Sequence, residues 1–234
     1  MSYNSFQFGG VNTANYGVYI SGNDAFGVPE RVVEVQSVPG KNGDIVIDQG
    51  HYANQSVTYT CFVRKGMMQN GIAFLDAIKA KHGYQRFEDT IQRDIFRMGY
   101  LEGPTEVAVS QMRRSGYFGL AFNFKPQKFL KTGDQFQEIT SGMKLNNPTN
   151  QTAFPLLRLY GTGTISFGGP SVTVSDADVY TDVDCELGDA YKGAVNCNED
   201  VSTNGMFPTL PPGETIVTFT GFTKVEVKPR WWRL

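Results

Sequence analysis

Histidine is almost missing from this chain: among 234 residues only His51 and His82 occur. A catalytic triad needs an imidazole beside its nucleophile, and a zinc site needs three or four N, S or O ligands; neither histidine stands in such a motif. Serine-hydrolase and metalloenzyme chemistries are therefore not expected, and no cofactor is. Cysteine is scarce too, with Cys61, Cys185 and Cys197 forming no Cys-x-x-Cys pair. An odd count without that spacing argues against a disulfide framework, so Cys185 and Cys197 are expected as thiols in a reducing compartment. Cys61 falls on the apolar side of the alternating run 57–63 and reads as a buried thiol. No apolar run approaches the roughly 18 to 20 residues of a membrane-spanning helix. The N-terminus lacks the basic-then-apolar pattern of a secretory signal, so the chain is expected to stay in the cytoplasm where it is made. The 21 basic and 23 acidic residues are mixed along the chain for a net charge of −2. Without a basic stripe, tight or specific nucleic-acid binding is not expected.

What is present points to β structure. The chain has 26 glycines and 13% aromatic residues, and 40% of its residues are hydrophobic. Its most specified stretch is Val38-Pro39-Gly40-Lys41-Asn42-Gly43-Asp44. Pro39 presets its own φ, Gly40 and Gly43 tolerate positive φ, and Asn42 and Asp44 can bond back to nearby amides. With alternating residues 33–36 before it and β-branched 45–47 after it, this reads as strand, turn, strand. Substitution at Gly40 is expected to damage folding or assembly. One helix is expected over about 70–82, with Ile72, Leu75, Ile78 and Phe74 as its apolar stripe, Asn70 as N-cap and Gly83 as terminator. Segments 95–101, 105–111 and 117–124 read as a meander that Lys125-Pro126 ends.

From 131 to 155 the pattern loosens, which places a domain boundary near 133: residues 1–133 form one domain and 134–234 another. The second restarts at 156–161 and continues through 164–167, 172–174, 179–185, 215–219 and 223–227 as the short strands of a β-sandwich. Acidic residues cluster once, as Asp176, Asp178, Asp182, Asp184 and Glu186, with Asp189 nearby. Ca²⁺ binding and a glycosidase carboxylate pair are the functional readings. The favoured one is a solvated acidic edge that discourages stray strand pairing, for which Asn at 182 and 184 leaves assembly unchanged. Trp231 and Trp232 are adjacent, so in a strand one fills the core and the other can stack on a sugar or a neighbouring protein.

Several segments taken in order carry a resemblance: Phe6 through Gly22, the turn Val38–Asp44, Gly83-Tyr84-Gln85-Arg86-Phe87-Glu88-Asp89, and Lys125-Pro126-Gln127. They continue with Asn147-Pro148-Thr149, Pro155-Leu156, Asp184-Cys185-Glu186, Ala190-Tyr191, Phe207-Pro208-Thr209-Leu210 and Pro229-Arg230-Trp231-Trp232. Together they resemble the distal tail proteins (Dit) of long, non-contractile-tailed bacteriophages. The resemblance implies a mainly β protein: an N-terminal split-barrel or sandwich-like domain with one helix, then a galectin-like C-terminal β-sandwich. It implies a virion protein of the phage tail tip and not an enzyme, assembled in the host cytoplasm. Six copies would ring a DNA channel and join the tail tube protein to the tail-associated hub protein, possible stacking of rings included. The sandwich would dock receptor-binding or other baseplate proteins, with no membrane partner. Arg86, Glu88 and Asp89 are candidates for the subunit interface, or for an ordinary loop ion pair. Galectin sugar sites use a His-Asn-Arg run, and this second half has no histidine. A carbohydrate-binding module for a host cell-wall glycan is the alternative function, with Trp231 or Trp232 as its contact.

Overall fold

The computed structural model describes residues 3–23, 27–64, 66–105, 107–109 and 114–234, so the ends of the expected strand 105–111 lie partly outside the described residues. Contacts divide the chain into two compact units, residues 1–128 with Leu234, and residues 129–233; the division falls within the long strand Gly116–Leu130.

The first unit is built on a curled antiparallel sheet whose strands run Val11–Asn12, Phe6–Phe8, Gln85–Asp89, Ile95–Glu102, Gly116–Leu130, Gln55–Val63 and Val18–Asn23, with Val107–Val109 added to Gly116–Leu130. Alternation decides its inner face. Val57, Tyr59, Cys61 and Val63 point inward from one strand, and Phe118, Leu120, Phe122 and Phe124 from its neighbour. The core is rich in rings: Phe122 lies 5.1 to 5.9 Å, centroid to centroid, from Phe6, Phe8, Tyr59, Phe87 and Phe124. Cys61 is fully buried, and burial pushes its thiol up to about 12. All three cysteines are free.

The helix forms, with corrected ends. Its α-helical part is Ile72–Lys79, entered through a wider π-type turn, Met67–Gly71. Asn70 lies inside that turn and makes no cap; Gly71 precedes the helix without a side-chain cap. The wide turn shifts the buried stripe to Met67, Gly71, Phe74, Leu75 and Ile78, so Ile72 is left on the exposed side. Gly83 takes a positive φ of 66° but does not end the helix, which stops at Lys79 with Ala80 as a right-handed C-cap. A second correction concerns Pro126, which does not end its strand. The ladder to Gln55–Val63 stops at Phe124, so on that side Pro126 lies beyond the last rung and its missing N–H breaks none of those bonds.

The second unit is a two-sheet sandwich. One sheet orders Gln137–Ile139, Lys224–Lys228, Leu156–Tyr160, Tyr180–Asp184, Asp189–Lys192 and Val195–Asn196. The other orders Met143–Asn147, Gly213–Thr220, Gly163–Phe167, Ser171–Val174 and Val201–Thr203. Leu157, Leu159, Ile165, Val172, Val183, Val217, Val225 and Val227 fill the space between them. Gln137–Ile139 and Met143–Asn147 lie in the stretch whose pattern loosens. They are short and largely polar, so periodicity is a poor guide there.

Candidate assembly surfaces

The turn 38–44 closes a hairpin that stands as its own two-stranded sheet, Arg31–Gln36 with Ile45–Tyr52. Lys41 N–H donates to Val38 O at 3.1 Å and Gly40 has φ 81°, so Pro39 and Gly40 occupy the middle of a tight turn with the left-handed residue second. Gly43 follows with φ 84°. At the other end, Arg31 Nε donates to Asp48 Oδ2 at 2.5 Å and its Nη1 to Tyr52 Oη at 3.0 Å, on either side of a bulge between Arg31 and Val33. Nearly every residue of both strands is exposed, apolar ones included. A Cβ at Gly40 would meet nothing within 4 Å, so the cost of replacing it is backbone strain alone. Gly40→Val is expected to destabilise the hairpin by about 1 to 3 kcal/mol. Amide exchange in 31–36 and 45–52 should accelerate about 5- to 150-fold while the melting midpoint of the chain barely moves.

The strand Gln85–Asp89 separates the three candidate interface residues. Asp89 faces inward, where its carboxylate accepts from Tyr59 Oη at 2.9 Å and from the N–H groups of Ile91 and Gln92 at 2.8 and 2.6 Å. Burial and the neighbouring Asp89 hold the Tyr59 phenol well above its usual range, so it stays a donor. Arg86 and Glu88 keep partial solvent access. They pair at 2.6 Å, and the Arg86 guanidinium lies 3.7 Å from the centre of the Phe96 ring.

The solvated acidic edge holds for Asp176, Asp178, Glu186 and Asp189, which are exposed, but not for Asp182 and Asp184. Asp182 and Asp184 do share a face opposite the core, as alternation requires, but that face is roofed and both are 4% exposed. Arg158, directly across the ladder from Asp182, grips it through two bonds of 2.7 and 2.8 Å, and its guanidinium lies 4.6 Å from both the Phe136 and Tyr180 rings. Arg230 holds Asp184 through two bonds of 2.8 Å. Asp184 Oδ1 also accepts from Glu186 and Leu187 N–H. Burial alone would raise the Asp184 carboxyl, but the Arg230 bonds and charge with those two N–H groups carry it below its ordinary value. Among the described residues no group of three or more His, Cys, Asp or Glu is placed to hold a metal. The outlying Asp176 and Asp178, joined by Asp200 from outside the cluster, border a cleft of about 350 Å³ beside Tyr180 and Lys192, where Asp178 is bound to Lys192 at 2.6 Å.

The C-terminal motif is part of the same construction. Arg230 has φ 57°, the only non-glycine residue among those described with positive φ, and its N–H donates to Gly133 O at 2.8 Å. A Cβ on Gly133 would come within 2.5 Å of Trp231 N, so only glycine admits the chain there. Trp231 is buried in the sandwich core, and its carbonyl accepts from Leu130 N–H at 2.7 Å. Trp232 is half-buried, with Nε1 donating to Thr152 O at 2.9 Å. Nearby, Asn147 Nδ2 donates to the carbonyls of Gln151 and Leu210, its Oδ1 accepts from Thr149 N–H, and Cys185 N–H donates to Pro155 O. The second-half motifs thus meet as backbone and ion-pair fasteners. None assembles a nucleophile with a base.

The architecture, two β units with a single α-helix among the described residues of the first, is Dit-like. A crystal structure of the SPP1 Dit protein, described as a paradigm of the hub adsorption apparatus in phages that infect Gram-positive bacteria, superposes with a TM-score of 0.75 at 11% identity, covering 97% of this chain and 98% of that one. A chain of the phage p2 baseplate, in its Sr-activated conformation, superposes with a TM-score of 0.54 at 10% identity, covering 97% of each. At such identities the likeness is one of fold. No protein-family model and no curated protein matches the sequence.

Proposed function

We propose that this protein is a structural component of a phage tail tip: a Dit-type hub subunit that closes into a hexameric ring between the tail tube and the tail-associated hub protein. The observation that carries the reading is the likeness of fold to SPP1 Dit over 97% of the chain, which takes in both units and their order. Residues 1–133 would form the ring and 134–234 the arm that docks adsorption proteins. The mixed charge suits a channel through which DNA slides without adhering. Ring closure is a heterologous interface, in which different patches of identical subunits meet, and Arg86 and Glu88 offer partly exposed charges of both signs for it. The glycan-binding alternative gains nothing from Trp231, which is core, or from Trp232, whose N–H is already bonded. Light scattering of the purified chain across a concentration series, with negative-stain images of the largest species, tests the proposal. Six-fold rings with a central hole are expected; a monomer at every concentration overturns self-closure.

A further inference from the structure

Three Asn-Gly pairs occur in the chain: Asn42-Gly43, Asn70-Gly71 and Asn204-Gly205. Such a pair carries a reaction of its own, because the amide nitrogen of glycine, with no Cβ beside it, can reach the side-chain carbonyl carbon of the preceding asparagine. The fold decides whether it does so. The asparagine side chain must be free to swing, the glycine N–H free to lose its proton, and the backbone between them free to turn.

Two of the pairs are held. Asn70-Gly71 lies in the π-type turn Met67–Gly71, where Gly71 is buried, keeps helical angles of −66° and −44°, and donates its N–H to Gly66 O at 3.4 Å. Asn204 is fastened at both ends of its amide: Oδ1 accepts from Ser171 N–H at 3.0 Å and Nδ2 donates to Gly169 O at 2.9 Å. Swinging that side chain onto the Gly205 nitrogen would break both bonds, and Gly205 N–H already donates to Thr203 Oγ1 at 3.4 Å.

Asn42-Gly43 has no such fastening. The hairpin ladder closes at Gln36 and Ile45, so residues 37–44 lie outside it. The bond of Lys41 N–H to Val38 O stops one residue short of the pair. Among the described residues neither the Asn42 side chain nor the Gly43 N–H has a hydrogen-bond partner, so the back-bond that asparagine offers in turns does not form here. Both residues are exposed, and a Cβ on Gly43 would meet nothing within 4 Å.

We infer that Asn42 is a site of self-modification, at which the Gly43 nitrogen closes on Asn42 Cγ and the turn converts to aspartate and isoaspartate. Water is the only co-reactant. The Gly43 nitrogen gives its proton to solvent base and bonds to Cγ, the Cγ–Nδ2 bond breaks, and Nδ2 leaves as ammonia with a proton from solvent. Water then opens the five-membered succinimide. Attack at Cγ leaves aspartate; attack at the backbone carbonyl leaves isoaspartate, in which the chain runs through the side chain and is one bond longer. Nothing is oxidised or reduced. Either product adds a carboxylate to a hairpin that already carries Glu30, Glu34, Asp44 and Asp48 against Arg31 and Lys41. A two-stranded hairpin is marginal in water, so the longer isoaspartate turn loosens it as the protein ages. The reaction needs no partner and proceeds whether or not copies of the chain associate.

Ageing the full chain at mildly alkaline pH, followed by tryptic digestion in mildly acidic buffer and mass spectrometry, tests this. The three pairs fall in separate tryptic peptides, 42–64, 66–79 and 193–224. Peptide 42–64 is expected to gain about 1 Da at least about tenfold faster than the other two, with isoaspartate confirmed by enzymatic methylation. In urea, where no fold holds any pair, the three rates should come within about threefold of one another. Asn42→Gln, which would need a less favourable six-membered ring, should abolish the gain in 42–64 and leave melting unchanged. Equal rates in the folded chain, or a gain that persists in Asn42→Gln, overturn the inference. So does a lead of Asn42 that is undiminished in urea, since local sequence and not the fold would then select it.

Discussion

Replacing Arg230 with alanine is expected to cost the second unit about 3 to 5 kcal/mol, because it strands Asp184 as a buried carboxylate without its cation. The two surviving N–H bonds to Asp184 satisfy only one oxygen. Both tryptophans of the chain lie in this unit, so urea unfolding followed by tryptophan emission reads the effect directly. A loss under about 1 kcal/mol would mean that water reaches the pair and that the roof over Asp184 is open. The same pair sets an acid limit. The Asp184 carboxyl is depressed in the folded state, so its contribution is fully present above its ordinary value near 3.8 and disappears as the pH falls through the lower folded value. Stability referred to this group should be flat from neutral pH down to about pH 4 and fall below it. Asp184→Asn should lower stability at neutral pH and flatten that acid limb. The assembly-neutral outcome expected for an exposed acidic edge is thereby replaced by a folding defect.

Phe122→Ala is expected to be of similar size in the first unit, about 3 to 5 kcal/mol. Its ring is wholly buried and neighbours five other rings carried by four strands, its own included, so the space it leaves is walled by groups fixed in their own ladders and collapses little. Phe122→Leu keeps most of the volume and should recover most of the loss. Urea midpoints by far-UV circular dichroism separate the two; equal effects would place Phe122 at the margin of the core and not at its centre.

The residues themselves specify a great deal here. Alternation along 57–63 and 117–124 assigns inner and outer side chains correctly, because a strand has a fixed period of two whatever surrounds it. The Pro39-Gly40 turn is legible for an equally local reason: one fixed φ followed by one positive φ closes the chain on itself. The single helix is legible by its period, although its entry through a π-type turn, which moves the buried stripe off Ile72, is settled by packing against Phe6, Tyr16 and Phe118.

What tertiary structure alone decides is whether anything lies over a face once the face is defined. The period puts Asp182 and Asp184 together on one side of their strand, but the arginines that roof them come from positions 24 and 46 residues away in sequence. The same holds in reverse for Val33, Val35 and Val46, whose composition suits a core and which stay exposed on their hairpin, and for Tyr117, which alternation places on the outer face but whose 59% exposure there no local pattern sets. Local chemistry sets the direction in which a side chain points; burial depends on distant segments of chain arriving there, which no neighbouring residue encodes.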